Sequence, residues 1–326
     1  MLLIILGAGA SFDISTRLRT DQTDFDQGWR LPLANQLFSE ERFGSIIRKH
    51  EHCANLFPRL RAGLKDGETL EKLLEELALE SEKNMLRARQ LIYLRLYIRE
   101  VIDHQTNSVW DKTHTVTNYG ELLEVIETWR SDNGEQVAIV TFNYDTLINQ
   151  ALFALTGLHF RTFESMVQDP RYQLYKVHGC INWYHRLHNW KQIQVGSQEN
   201  PQWGGFLEGE ESDSVPAIAV PTVHKSGFEC PENHLFRLKH DLKEIDRLLV
   251  IGWRGADQHF IDFWKPLEKV PIKKALIVGK SSADSNHLIA TLRDADIDFP
   301  TPQCVNDGFT YLFDSNQLSS YLFNDG

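Results

Sequence analysis

The stretch Leu2-Leu3-Ile4-Ile5-Leu6-Gly7-Ala8-Gly9-Ala10-Ser11 decides the fold. An unbroken apolar run that stops at a glycine reads as a strand buried on both faces, the kind found inside parallel sheets. The Gly-Ala-Gly-Ala-Ser that follows predicts a tight turn into a helix. Glycine there lets the backbone come close to a phosphate, and the first amides of a helix face negative charge. Gly7, Ala8, Gly9 and Ser11 are therefore expected to cradle a pyrophosphate. The alternative is a plain strand–helix turn with Ser11 as a helix cap. The third glycine of G-x-G-x-x-G is missing, because Phe12 stands in its place.

Working outward, the same pattern repeats. Val137–Phe142, Leu174–Val177, Arg247–Gly252 and Lys274–Val278 read as strands. Helices are expected over Thr146–Leu155, ended by Gly157, and over Glu232–Glu244, Phe260–Leu267 and Asn286–Arg293. Strands alternating with helices of this length predict an α/β fold with a doubly wound parallel, Rossmann-like sheet. A further helix includes Leu33–Phe38. Residues 41–135 read as wholly helical: Leu70, Leu73, Leu74 and Leu77 form a stripe at helical spacing, and a helix over Glu121–Arg130 stops near Asn133-Gly134. Residues 183–227 are rich in Trp, Gly and Pro and read as a small β-rich or irregular insertion, with Trp183, Trp190 and Trp203 filling it. There is no internal repeat and no low-complexity segment.

Two of the later strands end in chemistry. Thr141-Phe142-Asn143-Tyr144-Asp145 and Val177-His178-Gly179-Cys180-Ile181-Asn182-Trp183 put an amide, a carboxylate and an imidazole just past strand ends, where an open parallel sheet gathers its ligand-binding groups. Asn143, Asp145 and His178 are the candidate catalytic residues. Taken singly, Asp145 has an alternative role as a helix cap and Asn143 as a turn residue, and Thr141 and Phe142 as strand packing. A histidine's ordinary pKa near 6.5 suits proton transfer at neutral pH.

Composition narrows the partners. The chain has 326 residues, 42% hydrophobic and 24% charged, with a net charge of −11. Such a chain builds a substantial core but has no Lys/Arg surplus to displace counterions from nucleic acid, so direct nucleic-acid binding is disfavoured. No stretch approaches the roughly 18 apolar residues that span a bilayer. Because the first strand starts at residue 2, a cleavable leader would remove part of the fold, and a cytoplasmic location is expected. Cys53, Cys180, Cys230 and Cys304 are scattered and suit reduced thiols. Cys180, His185 and His188 have metal-like spacing but lack a fourth ligand, so no metal is expected. The acidic run Glu71–Glu82 reads as a solvated helix face.

As an ordered set, GAGAS, T-F-N-Y-D and H-G-x-x-N-W resemble the sirtuin superfamily, and more closely its bacterial SIR2-like branch. Ile251-Gly252-Trp253-Arg254-Gly255-Ala256-Asp257 is similar to that branch's later glycine turn, and Ile218-Ala219-Val220-Pro221-Thr222 with Lys225 to its apolar-Pro-Thr segment. The resemblance spans residues 1 to about 280, with gaps. It implies a single SIR2-like NAD-binding domain over residues 1–326, with its core in 1–40, 136–182 and 228–326 and insertions at 41–135 and 183–227.

The resemblance also implies roles. Gly7, Ala8, Gly9, Ser11 and Thr141 would bind NAD, with Gly252, Arg254 and Asp257 at its adenosine half or phosphates. Asn143 and Asp145 would contact the nicotinamide ribose and orient the attacking water or carboxamide, and His178 would act as base. Protein-deacylating sirtuins carry two CxxC pairs for a structural zinc and a G-I-P-D-F-R-like segment. This chain has neither, since Phe12–Leu31 is polar and charged, which argues against a deacylase. The expected activity is hydrolysis of NAD to nicotinamide and ADP-ribose, of the type used in bacterial antiphage defence. Regulation is expected through self-assembly or a separately encoded partner such as a HerA-type ATPase. The alternatives are an NAD-dependent deacylase or ADP-ribosyltransferase, and a non-catalytic NAD or ADP-ribose sensor.

Overall fold

The computed structural model describes residues 1–14, 29–113, 116–160, 162–195, 199, 201–219, 228–268 and 270–324. Strand β1 (Leu2–Leu6) has every side chain buried, as its uniformly apolar sequence requires, and leads through Gly7 into the one-turn helix α1 (Ala8–Phe12). Where a helix over Leu33–Phe38 was expected, a single 3-10 turn occupies Ala34–Gln36. That turn is held by the Gln36 side chain, whose Oε1 accepts from Leu33 N at 3.2 Å and from Arg42 Nη1 at 3.0 Å.

Helices then follow one another: α2 (Glu40–Lys49), α3 (Glu51–Ala54), α4 (Phe57–Lys65), α5 (Leu70–Ser81), α6 (Met85–Thr113) and α7 (Asn118–Asn133). The leucine stripe of α5 is buried as its spacing predicts. Helix α6 is the axis of this lobe and spans about 43 Å at 1.5 Å per residue. Helices α2, α3 and α5 pack along it. Thr117 caps the start of α7 and Gly134, at φ 65°, closes its end.

The chain returns with β2 (Val137–Thr141), α8 (Leu147–Thr156), α9 (Phe163–Gln168), β3 (Tyr172–Lys176) and β4 (Gly179–Leu187). Next come α10 (Trp190–Gln194), β5 (Trp203–Leu207), β6 (Ser214–Ile218), α11 (Glu232–Asp241), β7 (Arg247–Ile251), α12 (Gln258–Trp264) and β8 (Lys274–Val278). The chain closes with α13 (Ser282–Asp294), β9 (Gln303–Val305), α14 (Phe309–Asp314) and α15 (Gln317–Phe323).

Among the described residues, six strands form one parallel sheet in the order β3-β2-β1-β7-β8-β9. From β1 the chain first builds outward through β2 and β3, then crosses to build the other half from β7. The strand order therefore reverses between β1 and β7, the position where doubly wound sheets open a crevice beyond their strand ends. A separate antiparallel sheet, β5-β4-β6, carries the β-rich segment. The doubly wound α/β sheet with a helical lobe and a small β-rich unit is thus the architecture the sequence predicts.

A buried ionic cluster locks the small sheet to the lobe. Arg95 of α6 donates to Ile218 O at 2.9 Å, stands 3.6 Å from Glu229, and lies over the Trp203 ring at 5.3 Å. Glu229 also bonds His185 of β4. Trp183 and Trp190 are buried beside this unit.

Candidate functional site

The site follows from register. Lys176 is paired with Thr141, Thr141 with Leu6, Leu6 with Ile251, and Ile251 with Val278. The next residue on each strand must then fall in one row: Val177, Phe142, Gly7, Gly252 and Gly279. The backbone bonds between strands run on into that row. Val177 N donates to Thr141 O at 3.2 Å, Phe142 N to Leu6 O at 3.1 Å, Gly7 N to Ile251 O at 3.0 Å and Gly252 N to Val278 O at 2.9 Å.

The two glycine turns are locked into each other. A Cβ at Gly7 would lie 2.4 Å from Gly252 O, and one at Gly252 would lie 2.5 Å from Ala10 N. Gly252 also sits at φ 64°, in left-handed space that favours glycine. Gly9 N donates to Gly252 O at 3.2 Å. The amides of Gly7 and Gly9, expected to face a phosphate, are thus committed to the β7 turn, and these glycines serve the close approach of two backbones. Ala8 is the exposed residue at the mouth of the turn.

Asn143 splints this turn to the end of β2. Its Nδ2 donates to Gly7 O and to Ser11 Oγ, each at 2.9 Å, while its own amide donates to Thr141 Oγ1 at 3.1 Å. Ser11 Oγ is in turn 2.8 Å from the Tyr119 hydroxyl at the start of α7. Burial, reinforced by the charge of Asp145, pushes the Tyr119 phenol far above its ordinary pKa, so it keeps its proton. With Nδ2 occupied, Oδ1 is the Asn143 atom without a donor among the described residues.

Asp145 and Lys176 hold the loop beyond β2. Asp145 is buried, and its Oδ1 accepts from the amide of Leu147, the first residue of α8, at 3.0 Å. Asp145 thus closes the turn that leads into α8, whose N-cap residue is Thr146. Lys176 is fully buried at the end of β3, and its Nζ donates to Asn143 O at 3.2 Å and Asp145 O at 2.5 Å. Both carbonyls of the motif are pinned by one ammonium.

His178 lies one residue beyond Val177 in the row. Its Nε2 is 3.1 Å from Asp257 Oδ1. Phe142 meets the imidazole edge-on at 5.0 Å and stacks on Trp253 at 5.2 Å. Gly179, at φ 89°, turns the chain directly into β4, and a Cβ there would lie 2.0 Å from Ala217 O. The small sheet thus grows straight out of the site. Ala219 N and Glu229 N bond to His178 O and Val177 O, each at 2.8 Å. Ile218 and Ala219 belong to the expected apolar-Pro-Thr segment; Val220, Pro221, Thr222 and Lys225 lie outside the described residues, as does most of Phe12–Leu31.

Of the remaining expected residues, Arg254 is 72% exposed and stands 3.5 Å from Asp284. Asp257 faces His178, and its Oδ2 accepts from Trp253 Nε1 at 2.5 Å. Its partners within the chain are the His178 ring and the Trp253 indole. Cys180 is buried, and burial raises its thiol pKa, so it is not an activated nucleophile. His185 is buried against Glu229 and His188 is exposed. Among the described residues no group of three or more His, Cys, Asp or Glu side chains is arranged to hold a metal ion. A groove of about 400 Å³ between α7 and the C-terminal helices, lined by Glu121, Val125, Phe313 and Ser319, shares none of the site's residues.

Sequence reasoning missed Tyr119, Lys176 and Trp253 as parts of this site. A lysine closing a fully buried strand was a signal for Lys176. Trp253, inside the second glycine turn, stood within a recognised motif. Nothing local marked Tyr119, whose partner Ser11 is 108 residues away.

The family model of the SIR2-like domain matches residues 137–270, which run from β2 through α12. That segment of the chain is similar to a SIR2-like domain. Among solved structures, a Sir2 enzyme studied for mechanism and regulation is 12% identical with a TM-score of 0.34, covering 90% of this chain and 91% of its own. Sir2 in complex with the inhibitor EX-527, 2'-O-acetyl-ADP-ribose and a deacetylated p53 peptide is 12% identical with a TM-score of 0.39, covering 99% and 94%. A mutant Sir2 homologue in complex with ADP-ribose is 11% identical with a TM-score of 0.32, covering 92% and 94%. No curated protein compared with the chain matches it.

Proposed function

We propose that this protein hydrolyses NAD at the nicotinamide–ribose bond, giving nicotinamide and ADP-ribose. The observation that supports this best is the meeting of the first glycine turn, Asn143 and His178 on one edge of the sheet, at its switch point. In this reading the pyrophosphate lies at the mouth of the turn, by Ala8 and Ser11. Gly252 and Arg254 lie toward the adenosine half.

The reaction asks little of acid catalysis. The C–N bond breaks with its electron pair passing to nicotinamide, which leaves as a neutral molecule, and positive charge develops on the ribose carbon. Water adds to that carbon, and its proton passes to His178 and then to solvent. The protein has to hold ribose and water in reactive geometry and place polar groups beside the developing charge. Asn143 serves through Oδ1. Thr141, Asp145 and Lys176 serve by fixing the loop that carries Asn143.

On the resemblance of its motif set to the bacterial SIR2-like branch, we assign this activity to regulated NAD depletion in antiphage defence. An unregulated NADase would exhaust the NAD of its own cell. Control is therefore assigned to self-assembly or to a separately encoded partner such as a HerA-type ATPase. A monomer fully active without any partner would remove that part of the account.

The test of the activity is nicotinamide release from NAD by the wild type and by Asn143→Ala and His178→Ala. Turnover is expected to fall about 100-fold or more in each, as typical for loss of a general base or an electrostatic donor. Unchanged turnover in both variants refutes the assignment. Deacylation of an acetyl-peptide without free NAD hydrolysis would favour a deacylase, and NAD binding with no nicotinamide released would favour a sensor.

A further inference from the structure

We infer that Tyr119 is a positioning residue for Asn143, acting through Ser11 to hold the carboxamide with its oxygen turned toward the substrate. This rests on Asn143 serving through Oδ1, as proposed above. Tyr119 belongs to α7, the last helix of the lobe, yet its hydroxyl reaches the edge of the parallel sheet. The residue is buried, and its hydroxyl oxygen stands 2.8 Å from Ser11 Oγ and 3.5 Å from Asn143 Nδ2.

Three oxygens surround that nitrogen. Gly7 O and Ser11 Oγ each accept from Nδ2 at 2.9 Å, and the Tyr119 hydroxyl completes the set at 3.5 Å. A carbonyl oxygen only accepts, so a flipped carboxamide would set Oδ1 against Gly7 O with no proton between them. Gly7 O engages one of the two Nδ2 protons, and Ser11 Oγ is placed for the other. A serine hydroxyl is a free rotor, and among the described residues its one further partner is Tyr119. Either hydroxyl can donate to the other, and both ways each oxygen keeps a lone pair for Nδ2.

Tyr119 can serve as the fixed point because the start of α7 is stitched to the helix that carries Ser11. Asn118 N donates to Ile14 O at 2.7 Å, and Asn118 Nδ2 donates to Asp13 O at 2.7 Å and to Thr310 Oγ1 at 2.9 Å. The Tyr119 ring meets Phe309 of α14 at 5.7 Å. Burial first, then the charge of Asp145, keeps the phenol protonated and neutral. A group from the helical lobe thus completes the setting of the carboxamide at the sheet edge.

The test is Tyr119→Phe in the full chain, which keeps the ring against Phe309 and removes one oxygen. The first measurement is exchange of the Asn143 side-chain amide protons with solvent, followed by ¹⁵N NMR without NAD. Slow exchange is expected in the wild type, and exchange faster by about tenfold or more in the variant. The second is NAD turnover. A fall in kcat of about tenfold is expected with KM for NAD within about twofold, because a misaligned Oδ1 harms the reactive geometry more than binding. In an Asn143→Ala background the same substitution is expected to change kcat by less than about twofold, since residues acting as one unit do not lose activity additively.

Wild-type Asn143 protons that exchange as fast as those of an exposed asparagine overturn the inference. So does an unchanged exchange rate or an unchanged kcat in Tyr119→Phe. An undiminished fall in the Asn143→Ala background also overturns it, because Tyr119 would then act by general packing. So does KM raised about tenfold at unchanged kcat, which would put the Ser11 hydroxyl to work on the diphosphate instead of the carboxamide. If Asn143→Ala retains full turnover, the underlying activity reading fails instead, and the exchange rates still decide whether Tyr119 holds the carboxamide.

Discussion

Gly252 shows how much of this site is decided by single residues. It combines a left-handed backbone with a neighbouring turn 2.5 Å from where its Cβ would be. Gly252→Ala is expected to cost about 2–4 kcal/mol, from backbone strain and overpacking together. Urea unfolding would measure this, and a loss under 1 kcal/mol would mean the turns are less tightly locked than described. His234 carries a pH signature. Burial among Phe163, Tyr175 and Trp183 pushes its pKa down to about 4, against a weaker opposing effect of its bond to Phe163 O. The unfolded chain therefore takes up a proton near pH 6.5 that the folded one refuses, so stability is lost as pH falls from about 6.5 toward 4. Between pH 7 and pH 5 this amounts to about 2 kcal/mol, and His234→Phe should abolish that share. Unfolding curves at the two pH values decide it. At this scale Asn143 and His178 were legible, because each follows an apolar strand inside a recognised motif. The approach of Asp257 to His178 was not, since the two come together only through the parallel register of β3, β2, β1 and β7.

Elements with a long apolar run were read to within a residue or two: β1 and the apolar runs of β2, β7 and β8 are buried on both faces, where apolar residues fit best. Shorter or mixed elements escaped. Strand β9 is only Gln303–Val305, and α14 and α15 lack a long stripe, so periodicity had nothing to grip. The small β-rich or irregular insertion was expected over residues 183–227, but Gly179 already turns the chain into β4. The lobe and the small sheet meet through charge as well as through the apolar cluster of Ile92, Leu187, Trp190, Ile193 and Val215. Arg95→Ala would remove the buried guanidinium beside Glu229, at an expected cost of about 3 kcal/mol. A thermal shift near zero would show that the cluster does not join the two. Asp13, just past α1, accepts from Thr310 N at 2.8 Å and Thr310 Oγ1 at 2.7 Å and so ties α1 to the start of α14. Asp13→Ala should cost about 1–2 kcal/mol, in the range of a lost helix cap, measurable in the same unfolding assay.

At the scale of the molecule, sequence alternation was enough to specify a doubly wound sheet, because helices of that length between parallel strands have few other ways to pack. Alternation alone does not order the strands. The reversal between β1 and β7 comes from long-range pairing, and it is what sets the two glycine turns side by side with Asn143 and His178 close by. The account stands on one nucleotide lying across that edge. A crystal structure of the chain with ADP-ribose measures this directly. The diphosphate should lie against Ala8–Ser11, with the ribose beside Asn143 Oδ1 and the His178 ring. Nucleotide bound in the groove between α7 and α14, or excluded from the β1–β7 edge, would contradict it.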